Sequence, residues 1–165
     1  MRSIGNRNNK MGLDMYLSKK TYIGANYKHN NVKGKITLTK EDAPIGIKLE
    51  RVTYIDESVG YWRKANHIHN WFVTHCQDGV DDCKEYDVSK ENLLKLLSDC
   101  KEVKENIGVA EEVMPTTSGF FFGGTDYDEY YMQEIDKTIE IVEQILLEAG
   151  EDDYLPFEIT YQSSW

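Results

Sequence analysis

The feature that most constrains the fold is a change of hydrophobic period along the chain. At 13–17 (Leu-Asp-Met-Tyr-Leu) apolar and polar residues alternate, and they alternate again over 156–162, the period of a strand with one face buried. Between these stretches the period lengthens to that of a helix. Trp62, Ala65, Ile68 or His69, Phe72 and Cys76 make one stripe from Tyr61 to Cys76. A second runs through Leu93, Leu96, Leu97, Cys100, Val103 and Ile107, with Ser89 placed as N-cap. A third, Tyr131, Ile135, Ile139, Val142 and Leu146, occupies 127–149, with Gly150 where a helix-ending glycine belongs. Two β-branched runs, 36–39 and 45–55, read as a hairpin, and 18–35, rich in Asn, Lys and Gly, reads as a loop.

The order strand, hairpin, three helices, strand predicts an α+β fold. Its sheet is antiparallel or mixed, of about four strands, with three helices packed on one face and the last strand beside the first. Residues 1–10 are polar and aperiodic and read as a disordered N-terminal extension; 11–165 read as a single domain, the size that 165 residues support.

Charge and cysteine content narrow the setting. A net charge of −10 argues against sequence-independent binding to a nucleic-acid backbone, which needs lysines and arginines to displace counterions. The three cysteines (Cys76, Cys83, Cys100) form no CxxC pair and suit a reducing compartment. No apolar run approaches the ~20 residues of a membrane span. The expected address is the cytoplasm, with no membrane partner.

Two regions carry candidate chemistry. The first, Tyr61-Trp62-Arg63-Lys64-Ala65-Asn66-His67-Ile68-His69-Asn70-Trp71, concentrates cations, histidines and indoles in an acidic chain. Read as a helix, it puts Arg63, His67 and Asn70 on one face and Trp62, Asn66 and His69 on another. Cations beside aromatic rings suit a phosphorylated, base-containing ligand. The plainer account makes Trp62 core, Arg63 and Lys64 solvated, and His69 a satisfied buried histidine. A zinc site is disfavoured, since His67 and His69 diverge by ~200° on a helix and neither HExxH nor paired CxxC ligands occur.

The second region, Ser118 to Tyr131, has a Gly-rich turn before a helix, but Asp126, Asp128 and Glu129 repel an anion there. Thr125 or Asp126 as N-cap is the favoured reading, and at least one of the three successive phenylalanines is expected to line a pocket or an interface. The acidic clusters 78–82 and 151–153 lack calcium-loop spacing and read as solvated faces. No nucleophile is visible; Asp14, mid-strand, could orient a histidine or an arginine.

Taken together, Met11-Gly-Leu-Asp-Met-Tyr-Leu17, Tyr61-Trp62-Arg63-Lys64-Ala65-Asn66 with Ile68-His69 and Trp71-Phe72-Val73, Gln77-Asp78-Gly79-Val80-Asp81-Asp82-Cys83, the stretch Ser118 to Tyr131, and Tyr161-Gln-Ser-Ser-Trp165 resemble a family of small phage and prophage proteins. The resemblance spans residues 11–165 apart from 18–56, and its members begin at the equivalent of Met11. It implies a phage origin. By analogy with unrelated small phage proteins it implies a non-catalytic binder that sequesters a nucleotide-derived signal of host defence in the host cytoplasm. The expected ligand-binding residues are Tyr61, Trp62, Arg63, Lys64, Asn66, His69, Trp71, Phe121, Tyr127 and Trp165, with no metal, cofactor or catalytic set. Two alternatives stay open: a hydrolase or phosphodiesterase using His69 with Asp14 or Asp126, and an acidic inhibitor that docks on a host protein. A homo-oligomer is compatible with each.

Overall fold

A computed structural model describes residues 12–24, 37–40 and 43–165 of the chain. The extension 1–10, and most of the loop expected over 18–35, lie outside the described residues. The architecture is α+β: a four-stranded antiparallel sheet ordered β4-β1-β6-β5, built from β1 (Asp14–Tyr22), β4 (Tyr54–Arg63), β5 (Tyr86–Asp87) and β6 (Glu158–Ser164). The last strand lies beside the first, as the sequence predicts. A separate two-stranded hairpin joins β2 (Thr37–Lys40) to β3 (Ala43–Gly46). The helices are α1 (Asn66–Cys76), α2 (Lys90–Glu105), the single-turn α3 (Ala110–Val113) and α4 (Glu129–Ala149).

Alternation sorts the two sheet faces. Leu13, Met15, Leu17, Ile159 and Tyr161 are buried against the helices, while Tyr16 and Gln162 face outward. Phe72 of α1 stacks on Tyr161 with ring centroids 4.0 Å apart, joining helix layer to sheet. α4 lies along β4: Thr138 accepts the Trp62 indole N–H at 2.9 Å, and Ile141 packs where Gly60 carries no side chain.

Several sequence expectations need correction. β1 continues to Tyr22 rather than ending at 17, because polar residues extend it between two partners; Lys19, on the core side, is held by Glu57 at 3.0 Å and Glu148 at 2.7 Å. The run 45–55 is not one strand. A 3-10 turn at Leu49–Arg51 divides it, and β4 then pairs with β1. The first helix begins at Asn66, not Tyr61, since Tyr61, Trp62 and Arg63 finish β4. Lys64, with φ 57, turns the chain out of the strand in a left-handed conformation. Ile107 leaves α2 for a 3-10 turn and is exposed, and the N-cap of α4 is Asp128 rather than Thr125 or Asp126.

Ser89 does cap α2, with a reciprocal capping box to Asn92. Ser89→Ala should cost about 1 kcal/mol, read as a lowered urea midpoint at unchanged m-value. Among the described residues no helix is long and apolar enough to cross a membrane.

Candidate functional site

Segments far apart in sequence, around Gly12, Arg63 and Gly123, meet at one corner, where β4 runs into α1. The Leu13 N–H donates to Phe121 O at 3.2 Å, and the Lys64 N–H to Leu13 O at 2.7 Å. Asn66, buried at the start of α1, is the clasp. Its Nδ2 donates to Phe122 O at 3.0 Å and Gly124 O at 2.7 Å, and its Oδ1 accepts the Thr117 N–H at 3.0 Å. Glycine is required where the loop crosses Lys64: Gly123 has φ +87, and a Cβ there would stand 3.1 Å from the Lys64 carbonyl. Across the strand, a Cβ on Gly12 would meet Arg63 Nη2 at 3.1 Å and Lys64 Cε at 3.3 Å. Both cationic side chains therefore lie close over glycine backbone.

On one side of this corner is an aromatic and acidic group. His69 is buried and uses both ring nitrogens, Nδ1 with the Tyr161 hydroxyl at 2.8 Å and Nε2 with Asp81 Oδ2 at 2.9 Å. Asp81 is carried by a loop in which Asp78, Gly79 and Cys83 all have positive φ. Its other oxygen accepts the Trp165 indole N–H at 3.1 Å. Trp165 is 50% exposed, whereas Trp62 and Trp71 are buried, and its ring stands edge-on to Phe122 at 5.9 Å.

On the other side is a tyrosine and cation group. The Tyr61 hydroxyl donates to Asp14 Oδ1 at 2.5 Å, and Arg63 Nη1 lies 3.5 Å from the same oxygen. The Asp14 bond, with burial, holds the Tyr61 hydroxyl above the usual phenol range. From α4 the Tyr130 hydroxyl donates to the Arg63 carbonyl, and Lys137 Nζ lies 5.9 Å from the Tyr61 ring centroid.

Not every expected residue belongs to this site. Trp62 and Trp71 are sealed in the core, with their N–H groups donated to Thr138 and Asp99, and cannot stack on a ligand. Their expected role is withdrawn. The shared helical faces fall as well, because Tyr61 and Arg63 project to the outer face of a strand and Trp62 to the core. Asn66 and His69 are present but turned inward as structural donors and acceptors. Phe121 contributes its carbonyl, while the ring that reaches Trp165 and His69 is that of Phe122. Tyr127 packs on Tyr131 at 5.1 Å, and its hydroxyl accepts from the Thr116 N–H.

Sequence reasoning missed Tyr130, Glu134 and Lys137. Their spacing puts them on one stripe of α4, a signal that could have found them. Asp81 lay in a loop read as solvated. Glu134 is largely buried, and burial holds its carboxyl above the ordinary range while Lys137 draws it back.

The corner offers cations, hydroxyls and one open indole, but no activated nucleophile. The Cys76 thiol is pushed up to about 12 by burial, and Cys100 is raised by the same cause. The partners of His69 are Tyr161 and Asp81, not Asp14 or Asp126. Among the described residues no three His, Cys, Asp or Glu side chains are grouped to hold a metal ion. No protein-family model, curated protein or solved structure matches the chain.

Proposed function

We propose that the protein is a non-catalytic binder of an anionic, ring-bearing ligand of the nucleotide class, taken up where β4 meets α1. The observation that carries this reading is the placing of Arg63 and Lys64 over glycine backbone at the strand end that also bears Trp165. Asp14 pairs with Arg63 on one side and Ser164 on the other, so the backbones that carry the cations and the indole are two strand spacings apart, ~10 Å. A ligand with phosphate on one side and a base on the other has that reach. The guanidinium and ammonium take the phosphate, and the base stacks on Trp165.

A binder rather than an enzyme is favoured because His69 is closed off and doubly bonded. Sequestering a nucleotide-derived defence signal, the role suggested by the resemblance to phage proteins, is a use such a binder would serve.

Isothermal titration with AMP, ADP-ribose and cyclic nucleotides tests the reading. Wild-type protein should bind at least one of them and release it chemically unchanged after denaturation. The double substitution Arg63→Glu with Lys64→Glu should weaken binding by about thirty-fold or more, roughly 2 kcal/mol. Silence of folded protein across the whole panel, or turnover of the ligand, would overturn the proposal. An acidic inhibitor of a host protein would instead leave its partner's affinity nearly unchanged in the double variant.

A further inference from the structure

Three residues of α4 stand one turn apart along the end of β4, and the middle one is anomalous. Glu134 is 9% exposed, its Oε2 has no hydrogen bond, and the nearest cation, Lys137 Nζ, is 3.6 Å away. Below it, Tyr130 is anchored to the Arg63 carbonyl; above it, Lys137 reaches over the Tyr61 ring. A carboxylate buried with one oxygen unbonded, next to the Tyr130 that holds the Arg63 carbonyl, opposes an anion drawn to that end of β4. A proton on Glu134 removes the opposition.

We propose that Tyr130, Glu134 and Lys137 form the second wall of the anion site, and that Glu134 takes up a proton from solvent when a phosphate- or sulfate-type anion binds. The inference rests on the functional reading above and sharpens it. The site then takes a compact multivalent oxyanion, held by Arg63, Lys64 and Lys137, and is proton-linked.

The charged and titratable groups facing Glu134 are Tyr130 and Lys137 on its own helix, and Tyr130 in turn faces Tyr61 and Arg63 at the end of β4. Asp14 of β1 is tied to both of the latter. Burial already favours the neutral carboxyl, which shortens the step to the protonated complex. The linkage has a definite sign. An added anion raises the Glu134 pKa further, so protons are taken up on binding, and affinity falls as pH rises through the window between the free and bound values.

The probes are inorganic sulfate, which does not titrate in this range, and AMP. Calorimetry between pH 5 and pH 8, in pairs of buffers with different ionisation heats, counts protons taken up. Wild type should take up a fraction of one proton with sulfate, with affinity falling by up to about tenfold per pH unit inside the window. Glu134→Gln, which carries the neutral form's shape, should bind sulfate with no uptake and a flat pH profile, and keep with AMP only the linkage of the nucleotide's own phosphate, which titrates at about pH 6. Lys137→Ala should weaken binding several-fold and keep the uptake.

Sulfate-linked uptake that persists in Glu134→Gln, or wild-type sulfate binding without pH dependence, overturns the role of Glu134 and leaves the binding corner standing. Failure of both probes, in protein whose circular dichroism is native, overturns the corner and the inference together.

Discussion

Replacing His67 with Phe should make the protein markedly more resistant to acid while leaving it nearly as stable at pH 7. His67 is buried on α1, its ring 4.0 Å from that of Tyr131, and its Nε2 has no hydrogen-bond partner. Burial pulls its pKa down from 6.5 to about 3, with Asp128 opposing weakly. The unfolded chain therefore binds a proton below pH 6.5 that the folded chain refuses. The stability associated with neutral His67 is complete above 6.5 and is lost progressively as pH falls towards 3. At pH 4 the loss amounts to roughly 3 kcal/mol, a large share of a small domain's stability. Phe keeps the aromatic contact and gives up no hydrogen bond at Nε2, so the cost at pH 7 should stay within about 1 kcal/mol. Urea titrations of both proteins at pH 7, 5.5 and 4 measure the difference directly. Parallel curves for the two proteins across that range would show that His67 is not held neutral.

His67 also illustrates how the sequence can be read at one level and not at the next. That 67 lies on a helix with an apolar stripe was visible; that its imidazole would be sealed against Tyr131 was not, because Tyr131 belongs to another helix. The same division holds across the molecule. Local signals were accurate where a single element decides the matter: Ser89 caps α2, Gly150 ends α4, and the alternation at 13–17 marks a strand. They misled at 61–63, where two periods coincide. Trp62 starts a helical stripe with Ala65 and Phe72, yet it is equally the inward residue of a strand whose neighbours Tyr61 and Arg63 point outward. Pairing with β1 decides for the strand, and pairing is a long-range fact.

The candidate site was only half legible for a related reason. Its cations cluster in sequence and are legible there. The groups that make them a site come from elsewhere: Gly12 and Gly123 beneath them, Asp81 and Phe122 beside Trp165, Tyr130 and Lys137 across from Arg63. No local pattern announces such a meeting. The two indoles closest to the cations in sequence proved to be core, and the open one, Trp165, lies about a hundred positions away.

That the corner depends on its clasp leads to the second large effect. Asn66→Ala should destabilise the protein by roughly 3 kcal/mol and weaken ligand binding without removing any charge. The amide of Asn66 satisfies the carbonyls of Phe122 and Gly124 and the N–H of Thr117, three backbone groups in a segment with no secondary structure of its own. Alanine leaves all three to be solvated or unpaired, at about 1 kcal/mol or more each. The loop that loosens is the one that places Gly123 against Lys64 and Phe122 against Trp165, so the cations and the indole lose their relative placement together. Asn66→Asp separates the contributions. It keeps the acceptor for Thr117 but sets a carboxylate against two carbonyls, and should be at least as damaging as alanine. Urea melts give the stability loss, and iodide quenching of tryptophan emission reports whether Trp165 has come away from Phe122. If Asn66→Ala stays within 1 kcal/mol of wild type with unchanged quenching, the loop is held by its phenylalanines. The corner would then be organised by packing, and the hydrogen-bonded clasp would be incidental to it.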